Sequence, residues 1–292
     1  MAKYEMFGFR NEDEFLNYFF NTLLKTNWTY DYFVGWDKVR QNVKKFTKEI
    51  CLLNALTKID PEYRKRELKG VFIRYPETIP VIPLIIAVRE EKISILEIAE
   101  KTIRLFNFAS RELHENEADM LVDFCEKVGV LQLFSEIKDL YDYLLGVEVG
   151  LDTNARKNRS GKIFQGLVGV LLEKKLSSHK GIKLKAEDES IKTMRRKKAD
   201  FVIYLEGQPK IVVECNFYHT TGSKPIETAN AYIDFQKKAR DKGISFIWIT
   251  DGPGWNEMKS TILQSFREID YPMNYTLADE KIADIVSLVL KG

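Results

Sequence analysis

Between Ser160 and Thr250 two helix-like stretches alternate with four short runs rich in Val, Ile and aromatic residues, and this order constrains the fold more than any other feature. "SGKIFQGLVGVLLEKKL" carries apolar residues at helical spacing, with Ser160 as a candidate cap. "GIKLKAE", "ADFVIYL" and "KIVVECNF" read as successive strands, "PIETANAYIDFQKKARDKG" as a helix closed by Gly243, and "ISFIWIT" as a fourth strand. The order αβββαβ predicts an α/β (α+β) core with a mixed sheet.

The residues before this core read as helical. Asn11, with Glu14 three residues on, is a candidate N-cap for "NEDEFLNYFFNTLL", and "WDKVRQNVKKFTKEICLLNAL" sets Val39, Val43, Phe46, Ile50, Leu53 and Leu56 on one stripe. Phe19, Phe20, Tyr30 and Trp36 are expected to fill the core of this half. The polar, glycine-containing stretch "GVEVGLDTNARKNRSGK" then suggests a junction near residue 150, dividing the chain into a helical region, 1–150, and a core domain, 151–292.

With 292 residues, 45% of them hydrophobic and 30% charged, the chain has the make-up of a soluble globular protein. Its densest apolar run, "IPVIPLIIAV", spans Ile79 to Val88 and contains two prolines. That is well short of the roughly 20 residues that cross a bilayer, so no membrane association is expected. The N-terminal residues mix charges of both signs without an apolar h-region, which favours a cytoplasmic location over secretion. Cys51, Cys125 and Cys215 form neither an even disulfide framework nor a CxxC pair. His114, His179 and His219 lack the i, i+4 spacing of a helical zinc site, which leaves any metal chemistry to carboxylates.

The net charge of +2 conceals a cationic segment, since Thr153 to Asp200 holds 14 Lys or Arg against 5 Asp or Glu. Arg159 and Lys162 lie in "RKNRSGK", and Arg195, Arg196, Lys197 and Lys198 form "RRKK". Clusters of this kind suit phosphate backbones, although a solvated charged face has the same composition.

Against this basic background two acids stand within apolar strands, Asp200 in "ADFVIYL" and Glu214 in "KIVVECNF". Carboxylates brought together in a hairpin repel, and a divalent cation such as Mg²⁺, which prefers hard oxygen ligands, removes the conflict. Register decides whether they meet. A regular two-residue turn centred on Gly207 and Gln208 sends Glu214 to the opposite face from Asp200, whereas an odd loop or a β-bulge brings both acids to one face. The sequence therefore predicts an odd loop or a bulge.

The Asp of the second strand and "ECN" of the third, together with "KNRSGKIFQ", "VVECNFYHTTGSKPIETANAY" and "YPETIPVIPLIIAVR", resemble the DpnII/MboI family of type II restriction endonucleases within the PD-(D/E)XK nuclease superfamily. The resemblance extends over nearly the whole chain. It implies Mg²⁺-dependent cleavage of double-stranded DNA at GATC, with Asp200, Glu214 and the Cys215 carbonyl as metal ligands and Asn216 where the wider superfamily has lysine. An amide cannot serve as a general base, but it can orient water. Gln165 occupies the place where the superfamily often has a further acid, and Glu173 is the charged alternative two turns on. Lys224, in "GSKPIE", is either a phosphate contact or a helix cap, His219 is expected to be a polar loop residue, and "DGPGW" is either a plain turn or a functional loop.

A palindromic target implies a homodimer, and an activity of this kind implies a partner adenine methyltransferase that protects GATC. The competing readings are a repair or junction nuclease of the same fold and a DNA-binding module without catalysis.

Overall fold

The computed structural model describes residues 3–98, 101–193 and 198–291. The chain divides into two compact units, residues 33–156 and residues 1–32 with 157–292. The first 32 residues thus fold with the sheet, although by sequence pattern they belong with the helical stretch that follows them.

The unit of residues 33–156 is mostly helical, built on Leu53, Leu68, Phe72, Ile82, Phe108 and Phe134, all fully or almost fully buried. The long stripe predicted from Trp36 onward is two helices, Trp36–Lys44 and Thr47–Asn54, broken at Lys45 and Phe46. Trp36 itself is 47% exposed rather than part of the core. A two-stranded hairpin interrupts the helices, β1 (Lys92–Glu97) and β2 (Thr102–Asn107), paired from Lys92–Asn107 to Glu97–Thr102. On β1 Ile93 and Ile95 alternate with Lys92 and Ser94, a period-two signal within a half whose pattern otherwise reads as helical.

The expected junction is not a loop. The helix Leu140–Asp152 runs through a 3₁₀ turn, Thr153–Ala155, into the helix Arg156–Leu176. Its polar residues are buried and partnered: Glu148 accepts from Asn42 Nδ2 at 2.8 Å and Arg89 at 2.7 Å, and Asp152 accepts from the Gly35 N–H at 2.9 Å. Composition marked these residues as linker because their partners lie far away in sequence.

The other unit is a five-stranded sheet in the order β3 (Ile182–Lys192), β4 (Lys198–Leu205), β5 (Gln208–Phe217), β6 (Ser245–Asp251) and β7 (Tyr271–Met273). β3, β4 and β5 are antiparallel neighbours, whereas β6 and β7 join in parallel, so the sheet is mixed as expected. The helix Arg156–Leu176 buries Phe164, Val168, Leu171 and Leu172, positions spaced to form one stripe, each contributing about 1.5–3 kcal/mol by leaving water. Ser160 does not cap this helix, which starts a turn earlier. Instead its carbonyl accepts from Asn27 Nδ2 at 2.8 Å and its hydroxyl donates to Asn27 Oδ1 at 3.2 Å. Asn11 does cap its helix, accepting from the Glu14 N–H at 2.8 Å. Phe19 is completely buried, but Tyr30 is 100% exposed, the reverse of its expected role. No helix among the described residues is long and apolar enough to cross a membrane.

The register at the acidic hairpin is set by a bulge. Glu206 (φ +52°) and Gly207 (φ +80°) form a two-residue turn with both centres left-handed, pairing Leu205 with Gln208 and Tyr204 with Pro209. The next pairs are Ile203–Ile211, Val202–Val212 and Phe201–Val213, so Lys210 is the extra residue. Continued one step, this register sets Asp200 opposite Glu214.

A deletion of Lys210 removes the bulge while preserving every pair from Ile203–Ile211 onward. We therefore expect that variant to keep cleavage within about tenfold of wild type, whereas insertion of one residue after Lys210 should lower it by roughly 100-fold or more through displacement of Glu214. Equal loss in both variants, measured by plasmid cleavage, would contradict the role assigned to the bulge.

Candidate active site

Where β4 and β5 present their acids, a cleft of about 660 Å³ opens against the helices Arg156–Leu176 and Ser223–Arg240. Asp200, Cys215 and Asn216 line it from the strands, Lys162 and Gln165 from the first helix, and Lys224 and Thr228 from the second. Of the two candidates on the first helix, Gln165 lines the cleft and Glu173, two turns further along, does not. Lys198, two residues before Asp200, adds a third lysine, and it pairs with Glu189 at 3.1 Å.

The two acids are compensated first by the protein. Asp200 Oδ2 accepts from the Cys215 N–H at 3.0 Å, while the Asp200 N–H donates to Glu214 Oε1 at 3.1 Å. Each strand's backbone thus serves the other strand's carboxylate, an arrangement that requires the register setting Asp200 opposite Glu214. Tyr232, on the helix Ser223–Arg240, donates its hydroxyl to Glu214 Oε2 at 2.6 Å. Burial, followed by the negative charges of Glu214 and Asp200, holds the Tyr232 hydroxyl well above the usual phenol range, so it remains a donor. Hydrogen bonds to ionised groups of this kind are worth about 1.5–3 kcal/mol each. Glu214 is completely buried and stands behind the cleft wall, whereas Asp200 forms part of that wall.

Asn216 follows two residues after Glu214 and faces the same side. Its Oδ1 accepts from the indole N–H of Trp248 at 3.0 Å.

The segment beyond Asn216 is held by "DGPGW", which joins the end of β6 to a 3₁₀ turn, Pro253–Glu257. The Tyr218 N–H donates to the Asp251 carbonyl and the Gly254 N–H to the Tyr218 carbonyl, both at 2.9 Å. A Cβ at Gly252, where φ is +105°, would sit 2.3 Å from the Tyr218 carbonyl oxygen, so only glycine fits. His219 lies outside the cleft lining, contacting Asn27 Oδ1 at 2.8 Å and the Trp28 indole at 2.9 Å, and burial lowers its pKa.

Of the basic residues singled out by sequence, Lys162, Lys198 and Lys224 meet at the cleft. Arg159 donates through Nε to the Tyr32 carbonyl at 2.8 Å. Arg195, Arg196 and Lys197 lie outside the described residues.

Sequence reasoning missed three residues. Glu187, at φ +48°, occupies the place on β3 opposite Asp200, between the pairs Ala186–Phe201 and Asp188–Ala199, and lines the cleft. Tyr232 and Trp248 read as ordinary core aromatics, and only tertiary pairing reveals their polar atoms. Among the described residues no group of three or more His, Cys, Asp or Glu side chains is clustered as a ready metal site.

A family model described as the DpnII restriction endonuclease matches residues 15–284. The chain belongs to the DpnII restriction endonuclease family. It is 35% identical to the type II restriction enzyme MjaIII of Methanocaldococcus jannaschii over 280 residues, covering 90% of this chain and 96% of that protein. Its identity to the type II restriction enzyme MboI of Moraxella bovis is 34%, with 89% and 92% covered, and to DpnII of Streptococcus pneumoniae 32%, with 91% and 94% covered. These three relatives are matched over 89–91% of this chain and 92–96% of their own length, so the likeness takes in both compact units.

Proposed function

We propose that this member of the DpnII family is a Mg²⁺-dependent type II restriction endonuclease that hydrolyses phosphodiester bonds of double-stranded DNA at GATC. The observation that carries the reading is the meeting of Asp200 with Lys162, Lys198 and Lys224 in one cleft, with Glu214 directly behind it. An acid pair ringed by lysines suits an anionic phosphodiester and a hard cation together.

The donor set fits Mg²⁺, because it consists of carboxylate and amide oxygens and no histidine lines the cleft among the described residues. Asp200, Glu214 and the Cys215 carbonyl would hold the ion, with Gln165 as a neutral neighbour. When bound it would activate water and offset the negative charge that builds on the scissile phosphate. The lysines, with Arg159 and the Arg195 to Lys198 run, dock the DNA backbone. A palindromic site calls for a homodimer with one cleft per strand, to which the helical unit contributes contacts, and for a companion adenine methyltransferase.

The test is digestion of adenine-methylated and unmethylated plasmid, with Mg²⁺ or with chelator, followed by sequencing of the ends. Cleavage confined to GATC in unmethylated DNA with Mg²⁺ is expected. Cuts scattered or set by DNA structure would favour a repair nuclease, and binding without cutting a module that has lost catalysis.

A further inference from the structure

An amide side chain offers both a donor and an acceptor, so its chemistry in a site depends on which end is committed elsewhere. At Asn216 the protein makes that commitment. Trp248 is completely buried, and its indole N–H can only donate. It meets Asn216 Oδ1 at 3.0 Å. The reversed amide would set two donors against each other and strand a buried indole N–H, so the carbonyl end of Asn216 is the end that faces Trp248.

The indole cannot turn aside to release it. Trp248 lies in the parallel β5–β6 pairing beside Glu214, with Trp255 packed edge-on at 5.8 Å and Tyr232 at 5.5 Å. Asn216 Nδ2 has no protein partner among the described residues, and the side chain is part of the cleft lining. The end of the amide left for a ligand is therefore the Nδ2 end, a pair of N–H donors.

We infer that Trp248 is a positioning residue that turns the amide N–H end of Asn216 toward an anionic oxygen of the DNA phosphate in the cleft. The inference rests on the nuclease reading and deepens it. Asn216 does not take the proton of the attacking water, because an amide is too weak a base, and with its carbonyl oxygen turned toward Trp248 the N–H groups are what it presents to the cleft. In hydrogen-bonding terms it presents what an ammonium group would present at the same place.

A double-mutant cycle tests this, with single-turnover cleavage and DNA affinity measured for Trp248→Phe, Asn216→Lys and the pair. Trp248→Phe alone is expected to slow cleavage roughly tenfold at nearly unchanged DNA affinity, since a freed amide spends part of its time reversed. In the Asn216→Lys background the same change should cause no loss, because an ammonium has no amide orientation to be fixed. Equal losses in both backgrounds would make Trp248 merely structural and overturn the inference.

Two further readouts do not depend on Trp248→Phe folding. Asn216→Lys should cleave faster than Asn216→Asp, and the reverse order would overturn the donor assignment. In indole-labelled protein the Trp248 N–H should exchange slowly in wild type and faster in Asn216→Ala, and unchanged exchange would show that the hydrogen bond is absent. If wild type cuts no DNA with any divalent cation, the nuclease reading falls and takes the phosphate with it, whereas the exchange measurement still reports separately on the amide's orientation.

Discussion

Asp200→Ala is expected to reduce Mg²⁺-dependent cleavage by at least about 10³-fold while changing DNA affinity by only a few-fold, because in the proposed mechanism the lost carboxylate organises the reacting water whereas the lysines hold the backbone. Glu214→Ala should be as severe for cleavage, with an added cost in stability. Removing that buried carboxylate leaves the Tyr232 hydroxyl and the Asp200 N–H without their acceptor, at about 1–3 kcal/mol for each group left unpaired. Glu214→Gln separates the two effects: it keeps an oxygen for one of these donors, so it should fold nearly as well as wild type and still fail to cut. The measurements are single-turnover cleavage, filter binding in the absence of divalent cation, and urea denaturation of each variant. Cleavage by Asp200→Ala within tenfold of wild type would remove Asp200 from the site.

The largest effect on stability should come from a residue outside the cleft. Asp251 is completely buried at the end of β6, and its carboxylate joins three separate segments. Oδ1 accepts from the N–H groups of Leu24 and Gly252, each at 2.7 Å, and Oδ2 from that of Tyr275 at 2.8 Å. Asp251→Ala strands three backbone donors and should destabilise the protein by about 3–5 kcal/mol, enough to leave a marginal domain partly unfolded. Asp251→Asn keeps the two bonds to Oδ1 but turns an amino group toward the Tyr275 N–H, and should cost about 1–3 kcal/mol.

The same residue gives a pH dependence with a defined sign. Burial pushes the Asp251 carboxyl up to about 6, against the lowering effect of the three N–H donors. Its folded pKa lies above its unfolded value, so its stabilising contribution is complete below the ordinary carboxylate pKa near 4 and is lost as pH rises through about 6. Between those values wild type should therefore lose more stability on raising the pH than Asp251→Asn does, as read from urea denaturation midpoints at pH 4.5 and 7. Parallel curves for the two proteins would contradict this.

The order of elements in the sheet unit was legible in the sequence, because each strand is a run of β-branched and aromatic residues and each helix an apolar stripe with a stop at its end. Asp200 and Glu214 were legible for the same reason: an acid inside an apolar strand breaks a local pattern. Local pattern also carried the need for an odd loop or bulge, since a period of two makes register a matter of parity. It did not distinguish the bulge at Lys210 from a three-residue loop, as that choice depends on how Glu206 accepts a left-handed backbone and how β5 aligns with β6. β7 escaped notice at three residues, Tyr271 to Met273, too short for any periodicity to register. The helical passage from Leu140 into Arg156 was likewise hidden, because Glu148 and Asp152 look like linker residues until Asn42, Arg89 and Gly35 arrive beside them. Tertiary structure alone decided which end of Asn216 faces the cleft, that Tyr232 holds Glu214, and that Gln165 rather than Glu173 lines the wall. Each of these is a contact between residues distant in sequence, and hydrogen bonds are directional: composition and spacing say which groups a chain carries, but only the folded backbone says which of their atoms are already taken.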